Sequence, residues 1–244
     1  MCIRDSSKTI HIYDDNIGKV EYVEHMGDDL TVVNSARVSF GAKKEELDDR
    51  DRKLIKYLIK HRHTSTLEHN AVTFRFCVPL YVRSQHHRHR TWAYNEISRR
   101  YTDVDIRFYE PQGFRTQHKS NRQASNAEEL IDPQISFGGA PALFKPQPAS
   151  IVVKGAHDGC LNLYNSLIEA GVCREQARGV LPQNMYTEYY GTVNLNNLLK
   201  FIDLRTHEGA QWEIQQLANA CLEIATDLFP ITVGAYREIR SKNE

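Results

Sequence analysis

The 244-residue chain lacks any run of hydrophobic residues long enough to cross a membrane, and it lacks an excess of charge of either sign. Lys plus Arg and Asp plus Glu number 31 each, so the formal net charge is zero. The first absence argues against a membrane protein. The second argues against a dedicated nucleic-acid binder, which normally carries a broad basic excess. No signal peptide is recognisable at the beginning, and we expect a cytoplasmic protein.

Other absences restrict how the chain binds a cofactor or a metal. It contains neither G-x-G-x-x-G nor a P-loop, which argues against a Rossmann-type or P-loop nucleotide site. Its five cysteines form no C-x-x-C pair, so we expect free thiols in a reducing compartment. Histidines crowd residues 61–89, but no ligand spacing such as H-E-x-x-H accompanies them, and we expect no metal site.

The hydrophobic pattern predicts strands and helices without a regular β-α-β alternation, which is typical of the α+β class. Strands are predicted over 9–13, 19–24, 71–78 and within 185–193, and helices over 47–61, 80–90, 151–170, 174–180, 195–205 and 211–228. We therefore predict one α+β domain with a mixed sheet and flanking helices. Its expected limits are residues 9 and 235, with an N-terminal extension over 1–8 and a tail over 236–244. The segment at about 111–150, rich in Pro, Gly, Gln, Asn and Ser, is expected to be an irregular surface excursion.

Residues 88–101, RHRTWAYNEISRRY, carry the strongest functional pattern in the chain. Four arginines lie within this stretch, and guanidinium groups pair bidentately with phosphate. Asn95, Glu96 and Ser98 add groups that can hydrogen-bond a polar ring. The pattern predicts recognition of a phosphorylated, ring-bearing small molecule. Composition alone leaves a solvated basic face as the alternative.

This stretch resembles the signature of the flavin-dependent thymidylate synthases, R-H-R-x7-S, in its longer form R-H-R-x-x-S-x-N-E-x-S-x-R-Y. The chain matches that form at Arg88, His89, Arg90, Asn95, Glu96, Ser98, Arg100 and Tyr101. It departs at Ala93, where the pattern usually has Ser, and at His86, where the family often has an aromatic residue. Asn196 and Gly209 stand where relatives often carry Arg and His. Further similarities in family order, including Gln211-Trp212-Glu213, extend the resemblance over roughly residues 8 to 230.

The resemblance implies the family's own α+β fold and its reaction. That reaction is the reductive methylation of dUMP to dTMP, with methylenetetrahydrofolate as carbon donor and FAD, reduced by NADPH, as reductant. It also implies a homotetramer in which each active site is assembled from more than one subunit.

Carried over position by position, the resemblance implies three sets of site residues. The catalytic set is Arg205, Ser98 and His63. The dUMP set is Gln85, Arg88, Glu96, Ser98, Arg99, Arg100, Arg178 and Arg205. The FAD set is Ser39, Ser65, Glu68, Arg88, His89, Arg90, Asn194, Asn196 and Leu204. Ser98 lacks the adjacent base that would activate a serine nucleophile, so we expect it to hydrogen-bond the substrate. Arg205 is expected beside a uracil carbonyl, where it would stabilise developing enolate charge.

Two other hypotheses remain open at this point. Arginines interleaved with aromatic residues also suit a non-catalytic nucleotide-binding or single-strand nucleic-acid-binding protein, although the zero net charge disfavours it. The second hypothesis is a degenerate homologue that binds dUMP without converting it. A bound flavin would separate the enzyme from a simple binder.

Overall fold

A computed structural model describes residues 8–122, 124–137 and 145–241. The strands are β1 (Thr9–His11), β2 (Lys19–Met26), β3 (Ala71–Pro79), β4 (Ala93–Glu96), β5 (Phe114–Gln117), β6 (Ser125–Ile131), β7 (Gln134–Ile135), β8 (Gln147–Pro148) and β9 (Tyr186–Asn194). The helices are α1 (Asp29–Arg37), α2 (Asp49–Lys60), α3 (Leu80–His86), α4 (Ala149–Glu169), α5 (Arg174–Ala177), α6 (Leu195–Arg205), α7 (Trp212–Leu228) and α8 (Pro230–Arg240).

A five-stranded sheet in the order β1-β2-β3-β9-β4 forms the centre of the molecule. Its middle strand, β3, buries Val72, Phe74, Phe76 and Val78, because alternate residues of a strand point to the same face. The α+β class with flanking helices is confirmed. The sheet is antiparallel at every pairing between described strands, however, so the expectation of a mixed sheet was wrong.

The C-terminal helix α8 runs across the predicted domain limit. It begins at Pro230 and runs to Arg240, so the boundary expected at residue 235 falls inside a helix. The buried carboxylate of Asp29 accepts hydrogen bonds from the backbone N–H groups of Ile231 (2.9 Å) and Thr232 (2.9 Å). A charged acceptor at a helix N-terminus satisfies donors that have no partner within the helix. This cap joins α8 to α1.

The segment expected to be an irregular excursion contains regular structure. Strands β5 and β6 form an antiparallel hairpin, β7 pairs with β8, and α4 already begins at Ala149. Residues 138–144 lie outside the described residues, as do residues 1–7 of the expected N-terminal extension. Lys8, assigned to that extension, forms ion pairs with Glu223 (2.9 Å) and Asp227 (2.5 Å) of α7.

A buried carboxylate organises the loop before α2. Asp51 has no exposed side-chain surface and pairs with Arg37 (2.5 Å) and Lys44 (2.5 Å). Burial works to raise the pKa of Asp51, but the hydrogen bonds from Lys44, the Asp48 backbone and Arg37 together lower it. The folded state therefore holds Asp51 in its charged form.

None of the helices in the described ranges is long and apolar enough to span a membrane.

Candidate active site

The arginine- and histidine-rich stretch forms a tight turn between α3 and β4. The backbone N–H of Arg88 donates to the Gln85 carbonyl (3.3 Å) and that of His89 to the His86 carbonyl (2.9 Å). The Tyr94 hydroxyl donates to the His86 carbonyl (3.0 Å) from the following strand. These bonds fix the backbone of the motif, while the side chains of Arg88 and Arg90 are exposed.

Arg205, at the end of α6, reaches this turn from a distant part of the sequence. Its Nε donates to His89 Nε2 (3.0 Å), and its Nη2 lies 3.4 Å from the Gln85 carbonyl. Because His89 Nε2 accepts this bond, His89 is a neutral imidazole with its proton on Nδ1. Burial and the charge of Arg205 lower the pKa of His89 to about 4. Burial also lowers the pKa of Arg205, which as a guanidinium stays charged.

A chain of polar side chains continues from Gln85 to the β5–β6 hairpin. Gln85 Nε2 donates to Gln211 Oε1 (2.5 Å), and Gln211 Nε2 donates to Glu213 Oε2 (2.9 Å). Arg115 Nη2 donates to both carboxylate oxygens of Glu213, at 2.7 and 2.8 Å. The sequence prediction assigned no site role to Arg115, Gln211 or Glu213. Gln211 and Glu213 stood in the family resemblance, whereas Arg115 lies in the segment expected to be irregular.

Glu96, on the edge strand β4, is held by two donors. Its Oε1 accepts from Arg83 Nε (3.0 Å) and from the Thr187 hydroxyl (2.7 Å). Arg83 lies on α3 and Thr187 on β9, so three elements fix this carboxylate. Because these donors fix the orientation of the carboxylate, a hydroxyl or N–H group of a ligand can donate a hydrogen bond to it.

The remaining dUMP positions separate into exposed and buried side chains. Arg100 is exposed and lies 3.4 Å from Glu175 of α5, and Arg178, also exposed, directly follows α5. Ser98 Oγ accepts from the Arg100 backbone N–H (3.3 Å). Arg99 is 8% exposed and donates from Nη1 to the Val104 carbonyl (2.7 Å), so it lies inside the fold. Within the described residues, no hydrogen bond or ion pair joins this group to Arg205 or His89.

Several FAD positions lie together where β3 begins and β9 ends. Asn196 Nδ2 donates to Glu68 Oε1 (2.8 Å), and Asn194 caps α6 by accepting from the Asn197 backbone N–H (2.9 Å). Asn196 is buried, and its side-chain amide is engaged in the hydrogen bond to Glu68. Ser65 lies in the adjacent 3₁₀ turn Thr64–Leu67. Because Ala93 of β4 is opposite Thr192 of β9, the turn carrying Arg88 and Arg90 leaves the sheet at the same end.

Other sequence-predicted positions lie on the surface. Ser39 is exposed in the 3₁₀ turn Val38–Phe40, and Leu204 is exposed beside Arg205. His63 is exposed, with its ring stacked near Tyr57 at a centroid distance of 5.9 Å. Among the described residues, no hydrogen bond or ion pair joins the side chains of these three residues to Arg205 or His89.

The departure at His86 is accommodated by an aromatic environment. The ring is fully buried, lies edge-on to Trp92 at a centroid distance of 4.5 Å, and bonds through Nδ1 to the Tyr189 hydroxyl (2.9 Å). Burial lowers the pKa of His86 well below its ordinary value. His86 is therefore a neutral core residue behind the motif.

The surface around the turn suits an anionic cofactor more than a metal ion. In the part of the chain that the structure describes, Arg88 and Arg90 are exposed cations with no carboxylate partner, and such guanidinium groups bind phosphate. Within the same residues, no group of three or more His, Cys, Asp or Glu side chains is arranged to hold a metal ion. The donors present thus fit the phosphates of FAD.

Comparisons with known proteins identify the family of the chain. A family model described as thymidylate synthase complementing protein matches residues 21–231. A flavin-dependent thymidylate synthase of Thermus thermophilus is 40% identical over 91% of this chain and 76% of its own length. That of Thermotoga neapolitana is 37% identical over 93% of this chain and 94% of its own length.

A solved structure has the same fold. PolB from Streptomyces cacaoi, a UMP/dUMP methylase bound to 5-Br dUMP, superposes with a TM-score of 0.76 at 31% identity. The match covers 94% of this chain and 97% of that one. Fold, signature motif and relatives agree, and the chain belongs to the family of the flavin-dependent thymidylate synthases.

Proposed function

We propose that this protein converts dUMP to dTMP by reductive methylation, with methylenetetrahydrofolate as carbon donor and NADPH-reduced FAD as reductant. The observation that carries the proposal is the meeting of Arg205 with His89 and Gln85, which joins the signature motif to a cation on a separate helix. The similarity to a UMP/dUMP methylase that binds a 5-substituted dUMP supports a pyrimidine nucleotide as substrate.

Arg205 is the residue to which we assign polarisation of the uracil ring. Methylation at C5 requires the ring to act as a nucleophile, and charge then develops on a ring carbonyl oxygen. A partly desolvated guanidinium stabilises such charge more strongly than one in bulk water. Arg100, which pairs with Glu175 of α5, and Arg178, which directly follows α5, are the exposed cations to which we assign the phosphate. Ser98 would hydrogen-bond the nucleotide.

Arg88, His89 and Arg90 are assigned to the flavin cofactor. The two arginines would pair with its phosphates, and neutral His89 would present its Nδ1–H, since Nε2 accepts from Arg205. Bound FAD, once reduced by NADPH, would supply the reducing equivalents that complete the methyl group. Glu68, Asn194 and Ser65 would line the same end of the sheet.

A homotetramer with shared active sites completes the proposal. Among the described residues of one subunit, no hydrogen bond or ion pair joins Ser98, Arg100 or Arg178 to the Arg205–His89 pair, although a single nucleotide needs both phosphate and base contacts. Supply of one group by a neighbouring subunit would bring them onto the same ligand. Sedimentation equilibrium of the purified protein gives the number of subunits.

The visible absorption spectrum of the purified protein tests the proposal. We expect flavin absorbance that bleaches anaerobically when NADPH is added, and that bleaches faster when dUMP is present. A colourless protein that takes up no added FAD would refute the enzyme and favour a nucleotide-binding protein that retains the fold.

A further inference from the structure

The β5–β6 hairpin is connected to Gln85 by the relay of Arg115, Glu213 and Gln211. Glu213 is a carboxylate that is only 3% exposed. It lies on a helix far in sequence from the signature motif. Arg115 compensates its charge, stacks over the Trp212 ring at 5.4 Å, and donates through Nε to Ser125 of the opposite strand. The relay thus begins at a rigidly held cation.

The carboxylate of Glu213 fixes the orientation of the Gln211 and Gln85 amides. A guanidinium only donates hydrogen bonds and an ionised carboxylate only accepts them. Gln211 must therefore turn Nε2 toward Glu213 and Oε1 toward Gln85. Gln85 must in turn use Nε2 for Gln211. If the Gln85 amide flipped, two carbonyl oxygens would face each other.

We propose that Glu213 is a positioning residue that acts through Gln211 to lock the amide of Gln85. With Nε2 committed to Gln211, Gln85 presents Oε1 to the ligand as a hydrogen-bond acceptor. The group it recognises is an N–H or O–H donor of the nucleotide. Arg205 Nη2 lies 3.4 Å from the backbone carbonyl of Gln85, so a donor side chain and the acceptor Oε1 belong to residues that meet at the same turn. This inference rests on the proposed function, since it takes dUMP as the ligand.

The relay also gives the β5–β6 hairpin a part in the active site. Arg115 already forms two bonds to Glu213, so the ion pair is complete without Gln211. The bond from Gln211 is therefore not required to compensate the charge of Glu213. What it determines is the direction in which the Gln211 and Gln85 amides point.

Two variants of the FAD-loaded protein test the relay. Gln211→Leu breaks it in the middle and leaves the Arg115–Glu213 ion pair in place. Glu213→Gln replaces the acceptor-only group by an amide that permits either orientation. The control Glu223→Gln makes the same chemical change at an exposed position of the same helix.

We expect both relay variants to raise the Kd and KM for dUMP about tenfold, the effect of about one lost hydrogen bond to a ligand. The kcat at saturating dUMP should stay within about threefold, because Arg205 and the signature motif are intact. Glu223→Gln should bind dUMP as the unaltered protein does. If Glu213→Gln fails to fold, Gln211→Leu decides.

Ligand analogues identify the donor that Gln85 accepts from. Binding of 3-methyl-dUMP, which lacks the ring N–H, and of 2′,3′-dideoxyuridine monophosphate, which lacks the 3′-hydroxyl, is measured for the unaltered protein and for Gln211→Leu. The analogue that lacks the recognised donor should bind the unaltered protein more weakly than dUMP does. That loss should shrink in Gln211→Leu, as in a double-mutant cycle.

The possible failures are distinguishable. If the unaltered protein binds no dUMP, the proposed function falls and this inference falls with it. If the unaltered protein binds dUMP and Gln211→Leu binds it equally well, the inference alone is overturned. The inference is also overturned if each analogue loses the same affinity relative to dUMP in the unaltered protein and in Gln211→Leu.

Discussion

Replacing Arg205 with alanine removes the side chain that joins α6 to the signature motif. Arg205 Nε donates to His89 Nε2 at 3.0 Å, and the proposed mechanism places the guanidinium against a uracil carbonyl. Loss of one preorganised donor to developing negative charge typically lowers kcat by about 10²- to 10³-fold. We therefore expect Arg205→Ala to lower the rate of dTMP formation about 10²- to 10³-fold while FAD, assigned mainly to Arg88 and Arg90, stays bound.

The same substitution should raise the pKa of His89. Burial is the larger cause of its depression to about 4 from an ordinary 6.5, and the charge of Arg205 is the second. Two unit charges about 4 Å apart interact by about 1 kcal/mol in water and about 4 kcal/mol at an effective dielectric constant of about 20. Because His89 is only half-buried, the lower part of that range applies. One pKa unit corresponds to about 1.4 kcal/mol, so we expect a rise of about one unit.

NMR titration of histidine-labelled protein measures this shift, with His89→Gln used to assign the signal. The depressed pKa also sets a sign for stability. As the pH falls, the unfolded chain protonates His89 before the folded protein does. The stability of the folded protein therefore falls between about pH 6.5 and pH 4, and Arg205→Ala should make this pH range narrower. The interpretation is refuted if the pKa of His89 does not move, or if the variant keeps near-normal turnover with FAD bound.

Further expectations concern stability. Asp51→Asn should lower the free energy of unfolding at neutral pH by about 1–2 kcal/mol, after allowing for the partly exposed cations that pair with Asp51. Since the pKa of Asp51 is depressed in the folded state, its contribution is complete above the ordinary value near 3.8 and is lost as the pH falls below it. Urea unfolding at pH 7 and pH 3 should therefore show a difference between the two proteins that shrinks in acid, and a constant difference would contradict the assignment. Gly191→Ala should cost about 1–3 kcal/mol, because a Cβ there would lie 2.9 Å from a ring carbon of Phe76. Gly234→Ala, in α8 where the new Cβ would meet no atom within 4 Å beyond its chain neighbours and the helix's own backbone, should instead stabilise by about 0.5–1 kcal/mol. Thermal melts that rank these two glycine variants the other way would contradict the packing described.

Local sequence patterns predicted the elements that carry their own hydrophobic face. Helix α6 spans Leu195–Arg205 as predicted, and α2 spans Asp49–Lys60 within the predicted 47–61. The short strand β4 was missed because Ala93–Glu96 has little apolar pattern and forms by pairing with β9. Helix α8 was also missed, since its N-terminus depends on Asp29, about two hundred residues earlier in the chain.

The candidate site also contains residues that local sequence predicts and contacts that only folding creates. The signature motif singled out Arg88–Arg90 as candidate site residues from local sequence alone, but the helix predicted over 80–90 ends at His86 and these residues form a turn. The contact between His89 and Arg205 spans 116 residues, and only folding brings the two together. Arg115 was missed because a segment rich in polar and turn residues gives no sign that it forms a hairpin against α7. The assigned roles of the site residues, including the buried Arg99, stay predictions.

Formation of dTMP is the most direct test of the central claim. The purified protein is incubated with dUMP, methylenetetrahydrofolate, NADPH and FAD, and the nucleotides are identified by mass spectrometry. We expect dTMP in the complete mixture and none when the folate or NADPH is left out. Recovery of unchanged dUMP from the complete mixture, with FAD bound to a folded protein, would contradict the proposed reaction.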